Sequence, residues 1–183
     1  MTQNEGNWVF GYGSLMWNPG FAYTERQPAI LDGYHRAFCI YSHHYRGTAE
    51  TPGLVLGLDT GGMCRGAAFR VAEADWPAVV TYLDERELIG YAYTPARVTL
   101  DLDDGRKVAA RTYVADHHHD HYAGALDDHH TLRLILSAGG VSGSNADYAV
   151  NLIRELEAHG VSDPHQHNLL ARVRTETEPE GSR

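Results

Sequence analysis

An apolar run, Trp8-Val9-Phe10, leads straight into Gly11-Tyr12-Gly13-Ser14 before apolar residues resume at Leu15-Met16. Few structures suit that pattern, and the simplest is a buried strand ending in a tight loop. Glycines at 11 and 13 permit positive φ values and let a second molecule approach the backbone amides, because no Cβ stands in the way. The loop can therefore hold an anion or an oxyanion. It can equally be a glycine turn without a ligand, and a Gly-x-Gly by itself does not separate the two. Better-known loops do not fit. Position 16 is Met where a dinucleotide-binding fingerprint needs its third glycine, and no Lys-Ser/Thr pair follows as a P-loop requires. Met16 also stands where a nucleophile elbow would have its second glycine, so Ser14 is not framed as an acyl-enzyme serine.

Beyond a turn at Met16–Gly20, residues 28–42 read as extended, in two pieces, Ala29–Tyr34 and His35–Tyr41, on their β-branched and aromatic content. Ser42–Gly53 is polar and broken by glycine and proline, the kind of loop that carries function inside a compact domain. Leu54–Leu58 and Cys64–Val71 predict two further short strands joined through Asp59–Gly62, so a meander is expected. After an intervening helix, residues 91–101 alternate with Val98, Leu100 and Leu102 on one side, and Asp103–Arg106 turns the chain into a partner strand, Lys107–Val114.

That helix is predicted to start near Glu73. Trp76, Val79, Val80 and Leu83 fall on one face, with Pro77 in the first turn where proline is tolerated. Continuing the wheel, Glu87 lies only about 40° from Leu83, on the core side, while Glu85 points away. A carboxylate facing inward is desolvated, which raises its pKa and suits it to proton transfer. The competing reading ends the helix by Arg86 and leaves Glu87 solvated in a loop.

The last third predicts helices over about 127–138, from a cap at Ser144 to Gly160, and from Asp163-Pro164 to Val173. Residues 1–174 are expected to form one domain, followed by a polar, disordered tail, 175–183. A net charge of −9, with Lys107 the single lysine, argues against nucleic acid. No apolar run reaches the roughly 20 residues needed to cross a bilayer, and no signal peptide is evident, so a cytoplasmic protein with no membrane partner is expected. Cys39 and Cys64 suit buried reduced thiols. Twelve histidines, with His117–His119, His121 and His129-His130 close together, invite a metal reading, but the spacing lacks the separated ligands of a structural zinc site. No metal and no cofactor are expected.

Three segments in order carry a resemblance. They are Val9–Trp17, containing Tyr12-Gly13-Ser14-Leu15; Arg46-Gly47-Thr48-Ala49-Glu50-Thr51-Pro52-Gly53-Leu54-Val55-Leu56; and Tyr82-Leu83-Asp84-Glu85-Arg86-Glu87. Together they resemble the glutathione-specific γ-glutamylcyclotransferases, the ChaC-like proteins. Weaker similarity through His121–Gly124, Ser137–Asn145 and Tyr148 extends it over residues 8–174. Ala49 replaces a proline of the family pattern, and His44 and Tyr45 stand where some members carry Asp-His.

The resemblance implies an α+β fold, a small, mostly antiparallel sheet curled toward a barrel with flanking helices. It implies a small γ-glutamyl substrate, glutathione, cleaved by attack of its own α-amine on the γ-carbonyl; the alternatives are a cyclotransferase for another γ-glutamyl amine or amino acid, and a non-catalytic ligand-binding protein on the same fold. By the same resemblance Glu87 is the catalytic acid/base and the loop Tyr12, Gly13, Ser14 and Leu15 binds substrate. Ser42, Arg46 and Tyr122 are further candidate contacts; as bare residues they read equally as a loop hydrogen bond, a solvated charge and a packed aromatic.

Overall fold

The computed structural model describes residues 6–88, 90 and 92–177. These form two compact units. One comprises the described residues up to Arg36 with Leu58–Asp116, and the other Ala37–Gly57 with the described residues from His117 onward.

Five strands, β1 (Asn7–Gly11), β2 (Glu25–Ser42), β3 (Gly53–Val71), β4 (Tyr93–Leu102) and β5 (Lys107–Ala115), close into a barrel in the order β1-β3-β2-β4-β5. The first unit holds β1, β4, β5 and the stretches 25–36 of β2 and 58–71 of β3. Closure comes from a short parallel seam between β1 and β5, Trp8 opposite Ala110 and Val9 opposite Arg111. On its other edge β1 is antiparallel to β3, from Asn7↔Val71 to Gly11↔Ala67. Successive side chains point to opposite faces, and Trp8, Val9 and Phe10 are all buried, so β1 is covered on both faces as well as paired on both edges. The β4–β5 hairpin turns where expected: Asp101 pairs with Lys107, and Gly105 supplies the positive φ.

The expected meander of short strands is not what forms. Asp59–Gly62 lies inside one 19-residue strand, β3, and residues 28–42 belong to one 18-residue strand, β2. Gly61 and Gly62 do take positive φ, 100° and 69°, so β3 bends there without ending. Helix α1 (Trp76–Leu88) begins three residues later than expected, because Glu73–Asp75 form a turn in which the amides of Asp75 and Trp76 both donate to the Ala72 carbonyl. Its apolar stripe holds: Val79 and Leu83 are buried.

The second unit contains the end of β2, the start of β3, a two-residue pair β6 (Gly139–Gly140) and β7 (Gly143–Ser144), and three helices, α2 (Asp128–Ser137), α3 (Asn145–Ala158) and α4 (Pro164–Thr177). Each cap is a side-chain oxygen accepting an amide of the first turn, Asp127 from His130 N and Ser144 from Asp147 N. Ile135, Leu152, Ile153, Leu156, Leu170 and Val173 are the buried apolar faces of these helices. Helix α4 continues past Val173, so Thr175–Thr177 form its last turn; the remainder of the expected tail, 178–183, lies outside the described residues, as does Tyr91. No helix among the described residues is long and apolar enough to cross a membrane. Cys39 and Cys64 are both buried.

Candidate active site

In the first unit, β1 delivers the chain into Tyr12-Gly13 and a 3-10 turn, Ser14–Met16. Gly11 is required by crowding, since a Cβ there would lie 2.9 Å from Leu15 Cβ. Gly13 does not use the positive φ expected of it, sitting at φ −135°. The Tyr12 and Leu15 side chains are committed to the core: both are buried, and the Tyr12 hydroxyl donates to the Tyr113 carbonyl at 3.1 Å. Ser14 is the exposed member. What the loop leaves open to a ligand is backbone and one hydroxyl.

Two arginines hold this loop in shape. Arg36, only 2% exposed, donates from Nε to the Tyr12 carbonyl at 2.6 Å, and its Nη2 reaches the Arg65 carbonyl and the Met16 sulfur. A buried guanidinium is tolerable only when its donors are met in this way. Arg86, from the last turn of α1, donates through Nη1 to the carbonyls of Asn18 at 2.7 Å and Pro19 at 3.2 Å and to the Tyr82 hydroxyl at 3.0 Å, and through Nη2 to Ser14 Oγ at 2.8 Å.

Glu87 is inside the helix, which removes the reading that placed it in a loop. Its side chain is 19% exposed, and Oε1 lies 3.5 Å from Arg86 Nε. Burial pushes its carboxyl above the usual glutamate range, and the Arg86 charge works in the opposite direction without cancelling it. Ser14 and Glu87 are thus both served by one guanidinium. One turn back, Asp84 Oδ1 accepts from Tyr113 Oη and from Arg111 Nη2, each at 2.6 Å. Burial acts to raise Asp84, and these two hydrogen bonds outweigh it, leaving the carboxyl below its ordinary value.

In the second unit, Ser42 and Arg46 come together: the buried Ser42 hydroxyl accepts from the Arg46 amide at 2.9 Å, closing the turn. The Arg46 guanidinium lies over the Tyr148 ring and donates to the Ser144 carbonyl at 3.3 Å. It borders a polar groove of ≈ 520 Å³ that Asp147 and Arg154 also line. Tyr122 is bridged to Ile40, two residues before Ser42, and its ring stacks on His117 with centroids 4.3 Å apart. His43, His119 and His121 meet ring to ring, at 4.3 and 5.0 Å. Burial and these two neighbours lower the His121 pKa. Among the described residues no three His, Cys, Asp or Glu side chains are arranged to hold a metal ion.

This fold and these segments have relatives. The chain matches the ChaC-like protein family over residues 7–176. The chain belongs to that family. It is 41% identical over 167 residues to the glutathione-specific γ-glutamylcyclotransferase of Escherichia coli strain K12, covering 91% of this chain and 72% of that protein. The human glutathione-specific γ-glutamylcyclotransferase 1 is 31% identical over 164 residues, 87% of this chain and 74% of that one. The crystal structure of a glutathione-specific γ-glutamyl cyclotransferase from yeast superposes with a TM-score of 0.80 at 24% identity, covering 94% of this chain and 97% of that chain. That likeness establishes the α+β barrel fold.

Family membership leaves the supporting residues to geometry. Arg36, Asp84, Arg111, Tyr113 and Asn145 went unread in the sequence. Asp84 had a signal, since three residues before Glu87 is the same side of a helix. Arg36 had none, because its partners are backbone carbonyls.

Proposed function

We propose that this chain is a γ-glutamylcyclotransferase that cleaves glutathione to 5-oxoproline and cysteinylglycine, with Glu87 carrying the proton. The observation that carries the reading is Glu87 itself, a shielded carboxylate in the last turn of α1 beside the arginine that grips the Ser14 loop. The names of the bacterial and human relatives support the substrate.

In the reaction the α-amine of the glutamyl group attacks its own γ-carbonyl. A C–N bond closes a five-membered lactam, the amide C–N bond breaks, and cysteinylglycine leaves as an amine. The amine must lose a proton to attack, and the leaving nitrogen must gain one, so a single carboxyl can take the first and return the second. A carboxylate with a raised pKa is the better base for an ammonium, and burial supplies that. The Ser14 and Leu15 amides open a helical turn and have no partner within it, which suits them to the glutamyl carboxylate or the oxyanion. Tyr12 and Gly13 contribute as backbone. Within the second unit, Ser42 shapes the turn that presents Arg46, and the groove that Arg46 shares with Arg154 and Asp147 suits a carboxylate; Ser42, Arg46 and Tyr122 are the further substrate contacts of this reading. Residues 1–174 act as one catalytic domain, consistent with the span of the family match. No cofactor enters the chemistry, no nucleic acid or membrane takes part, and a chain with only two cysteines, both buried, suits the cytoplasm.

The test is 5-oxoproline release from glutathione, γ-Glu-Ala and a γ-glutamyl amine, by the native chain and by Glu87→Gln. Release from glutathione alone, falling at least about 1,000-fold in the variant, is expected. Release only from another substrate would move the specificity and keep the chemistry, and an active variant would remove Glu87 from it.

A further inference from the structure

Glu87 is tied to the Ser14 loop through its neighbour. Arg86 spreads its donors over Ser14 Oγ, the Asn18 and Pro19 carbonyls and the Tyr82 hydroxyl, and still keeps Nε 3.5 Å from Glu87 Oε1. Only a planar fork with five donors can serve so many acceptors at once; a lysine would bring the charge without the fork. Charged groups on the surrounding elements are engaged elsewhere. Asp84 of α1 is held by Tyr113 and Arg111 of β5, Arg36 of β2 by the Tyr12 and Arg65 carbonyls, and Arg26 of β2 reaches the Met16 carbonyl. Among the described residues, Arg86 is the charged group that acts on the Glu87 carboxylate.

Resting on the reading of Glu87 as proton carrier, we propose that Arg86 is a positioning residue with two separable duties. Its Nη atoms lock residues 14–19 to the last turn of α1, and its charge, 3.5 Å from Glu87 Oε1, favours the carboxylate form that acts as the base. The duties pull on different observables. Losing the charge removes what offsets burial, so Glu87 would hold its proton to higher pH. Losing the fork frees the loop while leaving that ionisation in place, and a loop displaced by about 1 Å costs rate on the order of 100-fold.

The experiment is the pH profile of kcat/KM and of kcat for 5-oxoproline release from glutathione, in the native chain, Arg86→Gln, Arg86→Met, Arg86→Lys and Glu87→Gln, each with its melting temperature. In the two neutral variants the acidic limb of kcat/KM is expected to move toward alkaline pH; using both guards against one failing to fold. In Arg86→Lys the limb stays in place while kcat/KM falls roughly tenfold or more. Neutral variants whose acidic limb overlays the native one overturn the charge duty, and a lysine variant with native kcat/KM overturns the positioning duty. Either result with Glu87→Gln inactive sinks this inference alone. An active Glu87→Gln sinks the reading beneath it.

Discussion

At the residue scale, the tension at Glu87 should be measurable in the folded state itself. Its carboxyl has a pKa raised by burial, so its contribution to stability is present below the unfolded value of about 4.3 and is lost as pH rises through the folded value. In its ionised form the carboxylate works against the fold. Glu87→Gln is therefore expected to melt at a higher temperature than the native chain at pH 7.5, with the difference shrinking toward pH 4; an equal or lower melting temperature at pH 7.5 would show that burial exacts nothing there. Asp84 has the opposite sign. Its depressed carboxyl stabilises above about pH 3.9, and that stability is lost as pH falls through the folded value. Tyr113→Phe removes one of its two donors and should cost about 1 kcal/mol in urea unfolding at pH 7, and less at pH 2.5. A loss that does not change with pH would mean the phenol acts by packing alone.

At the element scale, the helices were legible because their signals are local. Ser144, three residues before Asp147, marks a cap that needs only the neighbouring turn, and it forms; the structure adds a cap of the same local kind at Asp127, which accepts from His130 N. The strands were less legible for a related reason: Asp59–Gly62 looks the same in sequence whether it ends a strand or bends one, and only the neighbouring strands decide. Asn145 illustrates a contact that no local pattern announces. It is fully buried at the start of α3, where its side chain accepts from the Leu54 amide at 2.8 Å and donates to the Leu54 carbonyl at 2.7 Å, as a neighbouring strand would. Asn145→Ala strands two buried backbone groups, and a loss of roughly 2–4 kcal/mol in urea unfolding is expected. A loss under about 0.5 kcal/mol would mean the pair is solvated once the amide is gone.

At the scale of the whole molecule, the balance of charge argues against a polyanionic partner. With a net charge of −9 and a single lysine, the chain should pass unretained through a heparin column at pH 7.5 and about 0.1 M salt, where surface fields still reach roughly 10 Å. Retention would reveal a basic patch that the composition conceals. By itself the sequence determined what depends on neighbours along the chain: the strand-to-glycine loop at 8–16, the β4–β5 turn, the helix caps, the stripe of α1 and the face on which Glu87 sits. These follow from periodicity and from backbone conformations that single residue types allow. Tertiary structure alone decided what Arg36, Arg86, Asp84, Tyr113 and Asn145 do. Their partners are backbone carbonyls and an amide, hydroxyls, a guanidinium and a carboxylate, some of them about a hundred positions away in the chain. A polar side chain's role is set by whichever acceptor the fold brings within about 3 Å, a distance sequence order does not encode.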